Sequence, residues 1–438
     1  MEIDKTTLND LSIFNPEEEF SVFNKLNLCS TTHGREQLRT NFSTPLNTIE
    51  EIIGVQHTIQ QLIHKEVQWP KQISNGTIMV VEKYYEATID PIPSHPAVVA
   101  AFTYRVLHSY DFSLVKYSVQ HCFDFIKGMQ LMVSNFLVED TSIPLKKILE
   151  KAKRILDKEQ FIVVEKNERS SQLSDPQLLQ LAHFIRYQYK LNMNELITIY
   201  AQLDAWHSMA KAVSLYGLVF PEFLAGREPV IITKGLYHLL LQQPVSYDIT
   251  LDSTGNFLFL TGANMAGKST FIKSVGAAIF MAHTGMGVPA QLMQLTLFEG
   301  LLSNINVVDN LVKGESYFYN EVQRIKSTVI KINDGRKWLI LMDELFKGTN
   351  VQDAMKCSSS VIEGLLKIKN SLFILSTHLY EIGEDLKKYQ NIHFRYFETT
   401  VTGDQLRFSY QLKEGISNDR LGYLILKKEG VVEMLENL

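Results

Sequence analysis

The run Phe257-Leu258-Phe259-Leu260-Thr261-Gly262-Ala263-Asn264-Met265-Ala266-Gly267-Lys268-Ser269-Thr270 reads as an apolar strand opening into a glycine-flanked loop. The next stretch, Phe271 to His283, reads as a helix. The loop fits G-x-x-x-x-G-K-[ST] in the strand–loop–helix context that gives so short a pattern its meaning. Glycines let backbone N–H groups wrap phosphate oxygens, and the helix N-terminus adds its dipole and free donors. Lys268 is expected to reach the β- and γ-phosphates, and the Ser269 hydroxyl to coordinate Mg²⁺. The whole loop, from Gly262 through Ala263, Asn264, Met265, Ala266, Gly267, Lys268 and Ser269 to Thr270, is expected to hold a nucleotide.

Two further runs support this. Trp338-Leu339-Ile340-Leu341-Met342 is an apolar strand that ends in Asp343-Glu344. Alternate side chains of a strand face opposite ways, but at its C-terminal end both acids can reach a phosphate crevice. Asp343 would hold Mg²⁺ through water, and Glu344 would orient and deprotonate the attacking water. The run Leu372–Leu375 ends in Ser376-Thr377-His378, where His378 is placed to sense the γ-phosphate. Three strands delivering polar groups at their C-terminal ends match the rule that open α/β sheets bind ligands at that edge. The expected catalytic set is Lys268, Glu344 and His378, and the expected chemistry is NTP hydrolysis with Mg²⁺.

The 438 residues correspond to roughly two to four domains. With 45% hydrophobic and 21% charged residues, a disordered or low-complexity chain is excluded. Lys and Arg number 43 against 48 Asp and Glu, a net charge of −5, so no global basic field advertises nucleic acid. Cys29, Cys122 and Cys357 are scattered and form no CxxC pair, which fits a reducing cytoplasm. The N-terminus has no secretory pattern, and no apolar run is long enough to cross a membrane.

Glycine is sparse and helical periodicity dominates before about residue 228; β-branched runs alternate with glycine turns after it. The expected class is therefore α+β multidomain, with an N-terminal all-α arm followed by an α/β P-loop domain. The expected segments are 1–90 and 91–228, both helical, then 229–438. The first boundary is the breaker Asp90-Pro91-Ile92-Pro93-Ser94-His95-Pro96, the second Gly226-Arg227-Glu228-Pro229. In Leu145–Leu156, apolar residues at spacings of three and four form one helical stripe. The opposite, lysine-rich face reads first as a solvated surface and second as a phosphate-contacting one.

Thr261–Thr270, TGANMAGKST, resembles the TGPNMGGKST loop of the MutS family of DNA mismatch repair ATPases, whose Asn-Met pair is far more specific than the generic motif. Met281–Ala290 resembles the family's MAQ-G-FVPA segment, and Gly314–Glu321 its G-x-STFMxE segment. Asp343–Asn350, DELFKGTN, resembles DELGRGTS, and Ser376–Glu381 resembles the THYHE segment. More faintly, Gly34–Arg39 and Leu203–Ala210 are similar to parts of the family's core and lever. The resemblance implies a homodimer joined through the ATPase domains, each completing its partner's nucleotide site. Ser316 would then contact the partner's γ-phosphate, with a helix N-cap as its other reading. Asn264 would line the phosphate site, and Thr349 and Asn350 would lie near the dimer seam.

Departures from the family pattern are as informative. Phe346 stands for a glycine and Lys347 for an arginine, which alters the seam. Ala266 stands for a loop glycine and requires a negative φ there. The aromatic expected on adenine is Tyr247 or Tyr237. The chain begins at about the lever, and Phe220-Pro221-Glu222 matches the family's mismatch-reading Phe-x-Glu by coincidence, so a short form without a mismatch-recognition domain is expected. The leading reading is a DNA-binding, Mg²⁺-dependent ATPase. The alternative is a nucleotide-gated interaction module that binds a repair-protein partner or branched DNA. No LSGGQ-like segment is present to support a transporter subunit, and no membrane partner is expected.

Overall fold

The computed structural model describes residues 1–305, 317–402, 405–417 and 430–436. The chain divides into two compact units, one of Met1–Lys25, Thr44–Ile52 and Tyr216–Leu438, the other of Leu26–Ser43 and Ile53–Leu215. The fold mixes helix and sheet. Strands among the described residues are β1 (Glu2–Ile3), β2 (Glu222–Phe223), β3 (Ile231–Leu236), β4 (Tyr247–Leu251), β5 (Phe257–Thr261), β6 (Leu292–Leu295), β7 (Gly300–Asn304), β8 (Trp338–Asp343), β9 (Ser371–Ser376), β10 (Ile392–Thr402) and β11 (Gln405–Glu414). All belong to the first unit.

Seven strands form a sheet in the order β1-β7-β8-β9-β5-β10-β11, parallel except for the β10–β11 hairpin. Every residue of β5, β7, β8 and β9 is buried, so apolar residues follow one another in these strands and do not alternate with polar ones. Below the sheet, Ile332, Ile362 and Leu365 of the helices Tyr317–Ile332 and Val351–Leu365 join Phe257, Phe259, Ile340 and Phe373 in one core. β2, β6, β3 and β4 make a smaller sheet. Glu222 of the Phe-Pro-Glu tripeptide lies in it and accepts the Gln294 amide at 2.6 Å.

The N-terminal residues Met1–Lys25 group with Tyr216–Leu438 in the first unit. Residues 2–3 pair in parallel with β7, covering the polar groups that an edge strand leaves open. Asp4 caps the helix Lys5–Asp10 and pairs with Arg324 at 2.6 Å. Asp10 accepts the Ser303 hydroxyl at 2.5 Å and the Ile305 N–H at 3.1 Å. These long-range polar contacts carry no periodicity in sequence, which is why residues 1–25 read as part of a helical arm.

In the second unit the described regular elements are helices, including Thr32–Ser43, Asn75–Tyr84, Val98–Leu107, Ser109–Phe136, Ile143–Leu156, Asp175–His183 and most of Lys190–Tyr216. The stripe predicted in Leu145–Leu156 buries Leu145, Leu149, Ala152, Ile155 and Leu156, while its lysines face solvent. Leu203–Ala210 is packed around fully buried Asp204, which accepts the N–H of Ser30 at 3.0 Å and of Thr31 at 2.9 Å. The Thr31 hydroxyl donates to the same carboxylate at 2.7 Å. Gly34 is needed there, because a Cβ would sit 2.1 Å from Asp204 Oδ2. His207 stacks on Trp69 at 3.7 Å, and Ser208 bonds the backbone of Leu26 and Leu28. Among the described residues no helix is long and apolar enough to cross a membrane.

Candidate nucleotide site

The register of the large sheet sets the site. Leu260 and Asp343 both stand beside Ser376, so β5, β9 and β8 end flush. The loop 262–267 leaves β5 at that level and feeds the helix Lys268–His283. Gly262 has φ 137° and Gly267 φ 109°, conformations that disfavour a Cβ. A Cβ on Gly262 would also press on Phe397 at 3.2 Å. Met265 takes φ 69°, whereas Ala266 is absent from the positive-φ residues, which is the condition for alanine at that point.

Around this loop the predicted residues converge. Ser269 Oγ–H donates to Asp343 Oδ2 at 2.5 Å, and the Ser376 hydroxyl donates to Asp343 Oδ1. Both carboxylate oxygens of Asp343 are thereby fixed by hydroxyls, one from the first turn of the helix Lys268–His283 and one from the end of β9. Lys268 curls over the loop and donates to the carbonyls of Gly262 at 2.8 Å and Ala263 at 3.0 Å. Burial lowers the Lys268 pKa, and the charges of Glu344 and Asp343 oppose that shift. Glu344 adopts φ 54°, and its N–H donates to the Ser376 carbonyl at 2.9 Å. Its carboxylate lies 3.3 Å from Lys347 Nζ and 3.9 Å from His378 Nδ1, with His378 half exposed.

A cleft of about 620 Å³ opens over these groups, lined by Asn264, Met265, Gly267, Lys268, Ser269, Thr270 and Glu344 on one side. Leu241, Gln243, Val245, Tyr247 and Tyr410 line the rest. Of the two aromatic candidates, Tyr247 is on this wall, propped by Phe271 at 5.2 Å and Phe397 at 5.8 Å. The Tyr237 hydroxyl donates instead to the Tyr216 carbonyl at 3.3 Å. Asn350 caps the helix Val351–Leu365 by accepting the Asp353 N–H at 3.0 Å. Ser316 lies outside the described residues.

One group that sequence reasoning passed over is Glu321. It is only 2% exposed, and its carboxylate accepts the N–H groups of Phe346 at 3.0 Å and Lys347 at 3.4 Å, just past the Asp-Glu pair. Burial raises its pKa, against the pull of those backbone donors. The only signal in sequence was an acid downstream of Ser316, too weak to assign a partner.

The Gly262–Thr270 loop, the Asp343-Glu344 strand end and Ser376 at a third strand end lie together. Residues 258–435 match the family model for MutS domain V. The DNA mismatch repair protein MutS of Petrotoga mobilis is 26% identical over 305 residues, covering 68% of this chain and 36% of that protein. The namesake protein of Oceanobacillus iheyensis is 28% identical over 280 residues, with 62% and 31% covered. That of Thermotoga petrophila is 29% identical over 241 residues, with 54% and 30% covered. Over residues 258–435 the chain is similar to the MutS family. The matched stretch spans about a third of the length of these MutS relatives. Set against the MutS loop pattern, the two departures separate physically. Ala266 replaces glycine where φ is negative, but Phe346 replaces glycine at φ 61°.

Proposed function

We propose that the chain is a Mg²⁺-dependent ATPase that binds DNA as a dimer, its nucleotide site built on the Gly262–Thr270 loop. The observation that carries this reading is the convergence of Ser269, Ser376 and Asp343 beside Lys268 at the flush ends of three strands. The donor set suits a hard divalent cation: a hydroxyl and a carboxylate, all oxygen. Ser269 and Asp343 would hold Mg²⁺, which when bound neutralises phosphate charge and leaves ATP open to attack. Lys268, now satisfied by loop carbonyls, exchanges them for phosphate oxygens. Glu344 accepts the proton of the attacking water, and His378 senses the γ-phosphate beside it. Tyr247, on the cleft wall, is the aromatic for adenine.

By family resemblance the dimer forms through the ATPase unit, Ser316 of each copy reaching its partner's nucleotide, and the N-terminal helices act as a lever. The test is Glu344→Gln. It is expected to abolish hydrolysis, keep ATP binding and accumulate a dimer with ATP. Hydrolysis at the wild-type rate would remove Glu344 as the base, and a variant that stays monomeric with ATP would remove the shared site.

The net charge of −5 supports a second reading, a nucleotide-gated module that binds a protein partner or branched DNA without reading mismatches. Binding to homoduplex, mismatched and branched DNA, with and without ATP across salt, separates the two. A preference for mismatches favours mismatch repair. Absence of binding to all three favours the protein partner.

A further inference from the structure

Where the helix Val98–Leu107 gives way to Ser109–Phe136, three side chains that can ligate a metal converge. His108 is the junction residue, Asp111 stands in the first turn of the second helix, and Asp90 precedes Pro91 in the segment before the first. One donor atom from each lies within 4.8 Å of the other two. His108 Nδ1 is 2.7 Å from Asp90 Oδ2, and the Asp90 N–H donates to Asp111 Oδ2 at 3.0 Å. Arginines on neighbouring elements are committed elsewhere, Arg105 to Asp175 at 3.1 Å and Arg186 to the carbonyls of Tyr84 and Ala87. The surroundings hold the three groups in place. Tyr104, only 5% exposed, serves two of them: its ring stacks on the His108 imidazole at 5.0 Å, and its hydroxyl donates to the Asp90 carbonyl at 3.2 Å. Pro91 restricts Asp90 to extended backbone. Ile92 is buried, and its N–H donates to the Tyr187 hydroxyl at 3.4 Å. Such outer groups, which fix the orientation of each ligand, are a general part of metal centres.

We propose that Asp90, His108 and Asp111 bind a divalent transition ion of the zinc class. One imidazole nitrogen with two carboxylate oxygens suits Zn²⁺, whereas Mg²⁺ and Ca²⁺ take oxygen ligands. On a tetrahedral zinc with bonds of about 2.1 Å, ligand atoms stand about 3.4 Å apart. The 2.7 Å pair of His108 and Asp90 opens slightly to admit the ion, and the Asp111 carboxylate turns towards it. The ion takes the place of the His108 Nδ1 proton, which passes to Nε2 or to solvent. It also supplies positive charge beside two carboxylates that share a single histidine. Water fills the remaining position, since Asp90 is exposed and His108 partly so. The bound ion clips the segment after Asp90 to the junction of the two helices.

This site needs no nucleotide and does not depend on the ATPase reading. The test is calorimetric titration of the full chain with ZnCl₂, without nucleotide, in a buffer that does not chelate. Wild type is expected to bind zinc with a dissociation constant on the order of micromolar. Asp111→Asn, which keeps an acceptor for the Asp90 N–H, and His108→Gln are each expected to weaken that binding at least tenfold. Zinc is also expected to raise the melting temperature of wild type and not of the variants. All three side chains reach the surface, so equal melting temperatures without metal certify the fold of the variants. A wild-type chain that takes up no zinc at about 100 µM overturns the proposal. Variants that bind zinc like wild type overturn it as well. Asp343→Asn is expected to leave the titration unchanged; loss of zinc there would put the ion at the nucleotide site and overturn the proposal too.

Discussion

The carboxylate of Glu321 accepts the backbone N–H of Phe346 at 3.0 Å, and Phe346 holds φ 61° where the family pattern has glycine. A left-handed conformation costs a non-glycine residue roughly 1–2 kcal/mol. Phe346 is nonetheless buried, tilted against Phe318 at 5.8 Å, and burial of a phenylalanine is worth roughly 3–5 kcal/mol against its truncation. Packing therefore outweighs strain. Phe346→Gly is expected to relieve the backbone yet lose about 2 kcal/mol of stability, read from urea unfolding. A gain in stability would show that strain dominates.

The same bond predicts a kinetic effect. Glu321 holds the segment that follows Glu344, so it acts through position. Loss of a charged acceptor for buried N–H groups costs roughly 1.5–3 kcal/mol, about ten- to a hundredfold in rate if borne by the transition state. Glu321→Gln is expected to lower kcat by about tenfold, with ATP affinity within about twofold. An equal loss of affinity would instead mean that the loop had collapsed.

Ser376 gives a third prediction, aimed at the metal. Its hydroxyl and that of Ser269 together fix both oxygens of Asp343. Ser376→Ala frees one oxygen to rotate while leaving Ser269 and Lys268 untouched. The expected outcome is a several-fold higher Mg²⁺ requirement for hydrolysis, with saturating rates within about threefold of wild type. An unchanged Mg²⁺ titration would take Ser376 out of the site.

What could be read in sequence was what is local. The Gly262–Thr270 loop is specified by backbone conformations and by atoms within nine residues, so its pattern survives as spelling. Asp343 and Glu344 were legible because an apolar strand ends in them. Glu321 was not, since its partners lie 25 residues or more further on and nothing in a helical repeat marks them. Glu2 and Ile3 were missed as a strand because two residues carry no period. The division of the chain at Lys25, Thr44 and Ile52 was equally invisible. Residues 1–25 are tied in by Asp4 on Arg324 and Asp10 on Ser303, and residues 44–52 by the Leu46 N–H on the His283 carbonyl, which no composition shift announces.

Asp204 and Gly34 make the second unit testable on its own terms. Methylating Gly34 drives a carbon to 2.1 Å from the buried carboxylate that holds Ser30 and Thr31. Gly34→Ala is expected to cost about 2–4 kcal/mol, because the acid must abandon those donors while still buried. A loss under about 0.5 kcal/mol would mean the helix simply shifts.

The last prediction concerns acid. His283 is fully buried; its Nε2 accepts the Phe298 N–H at 3.0 Å, which leaves Nδ1–H to donate to the Ile279 carbonyl at 2.8 Å. That pairing requires the neutral ring, and burial holds its pKa down to about 4, from an ordinary 6.5. His238 is lowered to about 4 and His207 to about 3, both mainly by burial. A depressed histidine pKa means the unfolded chain binds protons first. Stability is then complete above pH 6.5 and falls as pH drops from 6.5 towards 4. From pH 6.5 to 5 the loss is about 2 kcal/mol for each such histidine at most. Glu2 and Asp4, with carboxyls held below their ordinary range, add their own loss only nearer pH 4, so the two effects separate on the pH axis. Urea unfolding at pH 7.5, 6.5 and 5.0 should give this slope, and His283→Gln should flatten it while lowering stability at pH 7.5. A slope in the variant equal to that of wild type would mean that His283 takes up its proton without unfolding the sheet around it.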